Sequence, residues 1–97
     1  MAAKKYFIVY FCDGTCQPDV RKKRMKKGST VFLIADGTRV KLKFEASPFV
    51  SGNTTISIAA GKFVKEQLLN VKQTFEYKLT CGSCPSPSDD PSMILEV

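Results

Sequence analysis

The stretch "RVKLKFE", residues 39–45, decides the fold class of this chain. Val40, Leu42 and Phe44 alternate with charged residues, so an extended strand here has one apolar face and one charged face. The segment "TFEYKLTC", residues 74–81, alternates in the same way. A period of two predicts half-buried β-strands, with the apolar side of each packed on a core.

The rest of the chain also has the character of short strands separated by turns. "KYFIVYF" (5–11) is rich in aromatic and β-branched residues and predicts a strand buried on both faces. "DGT" (36–38) is a hairpin signal. Further strands are predicted at 20–26, 30–35, 54–58, 63–69 and 93–97. Seven or eight short strands at roughly even spacing predict an all-β fold, an antiparallel sandwich or barrel. The length of 97 residues predicts one domain, residues 1–97.

Composition excludes several classes of function. The chain has 97 residues, 43% of them hydrophobic and 25% charged, and it has no histidine. Histidine-based catalytic triads and histidine-ligated metals are therefore excluded, and no phosphate-binding or nucleophile-elbow motif occurs. We expect a non-enzymatic protein. No apolar run is long enough to span a membrane, and no signal peptide is recognised, which predicts a cytoplasmic protein, or an exported one if a leader has been removed.

The net charge of +6 is concentrated in one short segment. The segment "RKKRMKK" spans residues 21–27 and predicts an edge-like or outward-facing strand exposed to solvent. Lysines at such a position protect a sheet edge from edge-to-edge aggregation. The alternative is a binding face for an acidic protein, an anionic lipid surface or a nucleic acid. The residues of this predicted basic face are Arg21, Lys22, Lys23, Arg24, Lys26, Lys27, Lys41 and Lys43.

The order of several segments resembles that of the cupredoxins. "MKKGSTVFL" (25–33) is similar to their second and third strands, and "ADGTRVKLKF" (35–44) to the strand pair that follows. "TFEYKLTCGSC" (74–84) and the final "MILEV" are similar to the closing segment. The resemblance implies an antiparallel Greek-key sandwich of seven or eight strands, of the cupredoxin-like type.

The same resemblance implies where copper ligands would lie. The ligand positions of the family correspond to Arg39, Cys81, Cys84 and Met93, so both histidines are replaced here. A blue-copper centre needs two imidazoles with one thiolate. No copper is therefore expected, and the resemblance supports the fold but not the electron transfer of the family.

The resemblance further implies that the loop after the first strand lies at the same end as the closing loop. Cys12 and Cys16 would then meet Cys81 and Cys84, and four thiolates can hold a structural zinc ion. We therefore predict a zinc site at these four residues. Two disulfides are the first alternative, with three possible pairings, and a redox-active CxxC pair is the second. The redox pair is disfavoured because three prolines follow it and prevent the helix that such a pair needs.

Overall fold

The computed structural model describes residues 4–97, and within them every regular element is a β-strand. No helix in this range is long and apolar enough to cross a membrane. The strands are β1 (Lys5–Asp13), β2 (Thr15–Pro18), β3 (Lys22–Lys26), β4 (Thr30–Ala35), β5 (Val40–Phe44), β6 (Thr55–Ile58), β7 (Phe63–Gln67), β8 (Gln73–Cys81) and β9 (Ser92–Glu96). The predicted all-β class is confirmed.

The strands form a two-layer sandwich. One sheet has the order β2-β1-β4-β7 and the other β3-β9-β8-β5-β6. Both sheets are mixed, because β1 pairs with β4 and β3 pairs with β9 in parallel, while the other pairs are antiparallel. Parallel neighbours cannot be joined by a tight turn, and here the chain leaves β1 and passes through β2 and β3 before returning as β4.

Strand β5 has the alternation that its sequence predicts. Val40, Leu42 and Phe44 are buried, whereas Lys41 and Lys43 are exposed. Leu42 lies opposite Ile56 on one neighbouring strand and Leu79 on the other. The apolar faces of the two sheets thus meet in one continuous core.

Strand β1 differs from its prediction. Its inner face is buried, as at Ile8 and Tyr10, but Phe7 on the outer face is 51% exposed. The predicted burial of this strand on both faces is therefore wrong, because a two-layer sandwich places no third layer over the outer side of the sheet.

Between the predicted strands at 5–11 and 20–26 lies a strand that the sequence analysis did not predict. Residues 15–18 form β2, which pairs with the end of β1 and places Cys16 opposite Cys12. Gly14 lies between them with φ of 80°, a conformation that glycine adopts without steric cost. The additional strand β2 is thus the short second arm of a hairpin with β1.

Candidate functional site at the cysteine pole

Four cysteines from two distant parts of the chain meet at one end of the sandwich, which we call the cysteine pole. The β1–β2 hairpin carries Cys12 and Cys16, and the end of β8 with the turn after it carries Cys81 and Cys84. The two halves are tied by a backbone hydrogen bond in which the Cys16 N–H donates to the Pro85 carbonyl at 2.7 Å. The implied meeting of the two cysteine pairs is therefore observed.

The sulfur atoms are joined in two disulfides that cross between the loops. Cys12 is bonded to Cys84 and Cys16 to Cys81, with Cα–Cα distances of 6.1 and 5.4 Å. The bridges are nested, since residues 16 and 81 both lie inside the loop that joins residues 12 and 84. Each bridge therefore links one half of the pole to the other, and neither closes a CxxxC or CxxC loop on itself.

The predicted zinc site is wrong. A four-cysteine zinc site needs four free thiolates, and no free cysteine remains in the part of the chain that the structure describes. Residues 4–97 also contain no cluster of three or more cysteine, aspartate or glutamate side chains that could hold a metal. A four-cysteine zinc site and two disulfides between the loops both require that the two cysteine pairs meet. The sequence pattern could therefore not distinguish a zinc site from disulfides.

The two bridges differ in exposure. Cys16 and Cys81 are completely buried, whereas Cys12 is exposed and Cys84 half-buried. The inner bridge therefore belongs to the hydrophobic core, and the outer bridge forms part of the surface of the pole.

The bridges favour the exported alternative of the predicted cellular location. Disulfides persist in oxidising compartments and are rare in the cytosol, where thiols are kept reduced. Two of them in a small domain fit an exported environment better than the predicted cytoplasmic one.

The residues at the copper-ligand positions do not fit a copper centre. The sulfurs of Cys81 and Cys84 are occupied in disulfides. Met93 is fully buried in the core, and Arg39 is exposed immediately before β5. Because the chain also lacks histidine, the imidazole and thiolate donors of a blue-copper site are missing.

A pair of tyrosines lies under the pole, on the same strands as two of the cysteines. The hydroxyls of Tyr10 on β1 and Tyr77 on β8 are 2.9 Å apart, and the rings meet edge to face at 6.3 Å. Burial raises the pKa of both hydroxyls above the ordinary value of 10, and for Tyr10 the neighbouring Tyr77 raises the pKa further. The pair is a polar link between the two sheets that stays neutral at physiological pH.

The tyrosine pair predicts a loss of stability at high pH. A raised pKa in the folded state means that the unfolded chain releases its phenolic protons first, so the stability is fully present below pH 10 and falls above it. Each tyrosine should contribute a slope of about 1.4 kcal/mol per pH unit above pH 10. Urea unfolding at several pH values would measure the slope.

The variant Tyr10→Phe/Tyr77→Phe provides the control for this prediction. It keeps both rings and removes both hydroxyls together, so neither is left buried without a partner. We expect its stability near pH 7 to be almost unchanged and the alkaline slope to be shallower than in the wild type. An equal slope in both proteins would refute the role of the pair.

The basic run lies away from the cysteine pairs, on strand β3, which is an edge of the five-stranded sheet. The predicted edge position is thus observed. Part of its charge is neutralised at the surface, since Arg24 lies 3.0 Å from Glu96 and Arg21 lies 3.4 Å from Asp89. Binding by this face stays a prediction.

The other predicted members of the basic face lie on a different strand. Lys41 and Lys43 are on β5, and β9 and β8 separate that strand from β3. Glu76 is exposed on the intervening β8. The structure therefore groups the lysines of β3 at one edge of the sheet. It does not bring Lys41 and Lys43 of β5 together with them.

A different surface was missed by the sequence analysis. The outer side of the four-stranded sheet carries a set of apolar side chains that we call the aromatic face: Phe7, Val9, Phe11, Phe32, Ile34 and Phe63. Phe7 and Phe63 are 51% and 62% exposed. The signal was the run of aromatics in "KYFIVYF", which is apolar on both sides although only one side of β1 can meet the core.

Comparison with known proteins supports the fold alone. No protein-family model matches the chain, and no curated protein matches it either. Among solved structures, a variant of amicyanin in its reduced Cu(I) form is similar over 99% of this chain and 86% of its own, with a TM-score of 0.63 and 15% identity. An oxidised amicyanin variant gives the same values.

The copper nitrite reductase of Nitrosomonas europaea is a second kind of structural neighbour. It is similar over 98% of this chain and 42% of its own length, with a TM-score of 0.59 and 16% identity. The chain is therefore a cupredoxin-like β-sandwich, as the sequence resemblance implied. It lacks the histidine ligands of a blue-copper site.

Proposed function

We propose that this chain is a non-enzymatic interaction domain of an oxidising compartment, in which two disulfides hold together the end of the sandwich. The observation that carries the proposal is the nested pair of bridges between the β1–β2 hairpin and the segment after β8. They join the two loops covalently without any ion.

The chemistry of the pole supports a structural role over a catalytic one. A thiol–disulfide catalyst needs an attacking thiolate. In the CxxC segment, Cys81 is bonded to the buried Cys16, and Cys84 is bonded to Cys12. Histidine is absent from the whole sequence, so it provides no general base at the pole.

The surface supports an interaction role. Soluble domains with no partner keep the outer faces of a sandwich polar, and large exposed apolar patches mark contact sites. The outer face of the five-stranded sheet follows that pattern with Lys41, Lys43 and Glu76, whereas the aromatic face of the other sheet does not.

The state of the cysteines tests the proposal. The chain would be expressed in an oxidising host, purified without chelator or reductant, and examined by thiol titration, metal analysis and intact mass. We expect no reactive thiol in the denatured protein, no stoichiometric zinc, and a mass gain of four hydrogens on reduction.

Mapping of the linkages completes this test. A non-reduced digest should contain the pairs Cys12–Cys84 and Cys16–Cys81. Reactive thiols together with bound zinc would contradict the proposal, and so would bridges closed within either loop.

A further inference from the structure

The aromatic face is apolar, whereas the outer face of the five-stranded sheet is polar. Three neighbouring strands contribute to the aromatic face in register, with Phe7 opposite Phe32, Val9 opposite Ile34, and Ile34 opposite Phe63. The rings of Phe7 and Phe32 are 5.0 Å apart, and those of Phe32 and Phe63 are 5.9 Å apart. A continuous apolar surface therefore crosses the sheet from β1 to β7.

The aromatic face contains a recess. Phe7 and Phe63 stand on either side of Phe32, and between them lies a depression of about 290 Å³, completed by Ile34, Gly61 and Lys62. This volume lies near the lower end of the range for pockets that bind small ligands. It suits one inserted apolar side chain better than an extended ligand.

Positive charge surrounds this recess. Lys62 forms part of its wall, Lys65 lies opposite Phe32 on β7, and Lys5 begins β1 on the same outer side. The carboxylates at the ends of this sheet's strands, Asp13, Asp19 and Asp36, lie toward the end with the cysteines, and Glu66 of β7 is buried on the inner side of the sheet. The lysines therefore favour an occupant with negative charge next to its apolar group.

A second copy of the chain does not match this charge. Its net charge is also +6, so two aromatic faces would bring lysines against lysines. Three strands spaced about 4.8 Å apart and about five residues long give a patch of roughly 250 Å². A stable dimer buries about 800 Å² per partner.

The ring geometry disfavours single-stranded nucleic acid. Bases stack on the free faces of aromatic rings. Phe7 and Phe32 lie nearly parallel, with 16° between their planes, so each covers one face of the other. A recess with a lysine in its wall instead resembles the pockets that receive single anchor residues at protein interfaces.

We propose that the aromatic face docks an acidic protein segment, which inserts one aromatic or branched apolar side chain into the recess. Phe7, Phe32 and Phe63 contact the anchor, and Lys5, Lys62 and Lys65 pair with carboxylates beside it. This inference rests on the proposed interaction role and specifies its partner.

The test uses a synthetic peptide with one central phenylalanine flanked by glutamates, titrated into oxidised full-length protein that has been shown to contain no free thiol. Binding would be followed by NMR chemical shifts and calorimetry. We expect shifts at residues of the aromatic face, and a loss of binding when the central phenylalanine is alanine or when lysines replace the glutamates.

Two variants locate the site. Phe63→Ser should weaken binding at least fivefold, whereas Val50→Ser, at a valine 58% exposed in a loop, should leave it unchanged. Lys62→Glu should also weaken binding at least fivefold, whereas Lys41→Glu on the opposite sheet should not. Both targets are exposed, so the variants should fold.

Several outcomes would overturn the inference. Shifts confined to β3, or an affinity unaffected by Phe63→Ser and Lys62→Glu, would remove the aromatic face from the binding site. Binding of phosphatidylserine vesicles that depends on Phe63, with no binding of the peptide, would assign the face to lipid instead. Because the thiol measurement is made first, a failure of docking is distinguishable from a failure of the disulfide-held domain.

Discussion

Replacing all four cysteines by alanine is expected to lower the free energy of unfolding by roughly 6 to 7 kcal/mol and to leave the chain largely unfolded at 37 °C. The first bridge closes a loop of about 70 residues, which removes about 4 kcal/mol of chain entropy from the unfolded state. Small domains are stable by about 5–15 kcal/mol in total. The loss is therefore comparable with the whole stability of the fold.

The nested arrangement makes the second bridge less valuable than the first. Once residues 12 and 84 are joined, the inner bridge closes only the small ring formed by residues 12–16 and 81–84. Such a ring contributes about 2.5 kcal/mol. Loss of either bridge alone should therefore cost about that amount in chain entropy, and the two single losses should sum to less than the double loss.

The two variants that each lack one bridge should differ in stability, because the two bridges differ in burial. Cys16→Ala/Cys81→Ala also removes two sulfurs from the core, so it should be less stable than Cys12→Ala/Cys84→Ala by roughly 1 kcal/mol or more. Urea unfolding of the four proteins, followed by circular dichroism, measures these differences. Additive losses of about 4 kcal/mol for each bridge would show that the nested-loop account is wrong.

Leu42→Ala is expected to destabilise the fold by about 2–5 kcal/mol. Its side chain is fully buried in the middle of β5, with Ile56 and Leu79 on the strands at either side. Truncation removes the transfer free energy of the lost carbons and leaves a cavity that the two sheets only partly fill. The midpoint of urea unfolding should fall with little change in slope.

The neighbouring residue supplies the control for this prediction. Lys41→Ala changes an exposed side chain on the same strand, so its effect should stay within about 0.5 kcal/mol. An equal loss in both variants would indicate that β5 is stabilised by its backbone position rather than by core packing.

The sequence predicted the strands best where one face is polar. In β5 the alternation of lysines with apolar residues allows only one face to be buried. In β3 the basic run predicts an edge-like or outward-facing strand, and the strand lies at an edge. The parallel pairing of β1 with β4 could not be predicted, because it depends on where the chain crosses between sheets and not on any local pattern.

The candidate site was predictable in position but not in chemistry. The resemblance implied that Cys12 and Cys16 would meet Cys81 and Cys84, and they do. Whether converged thiols bind a metal or oxidise depends on the redox poise around the protein, which no residue pattern encodes. The aromatic face was missed for a different reason: an apolar strand has the same composition whether its second side is buried or open to a partner.

The long separation of the bridged residues also has a consequence for biosynthesis. Neither covalent link can form before residue 81 has been made, because both partners of every bridge lie far apart in the chain. Nearly the entire sandwich must therefore be translated before either native bridge can form. Both native bridges therefore close late in synthesis, and they form close together because residues 81 and 84 are made three residues apart.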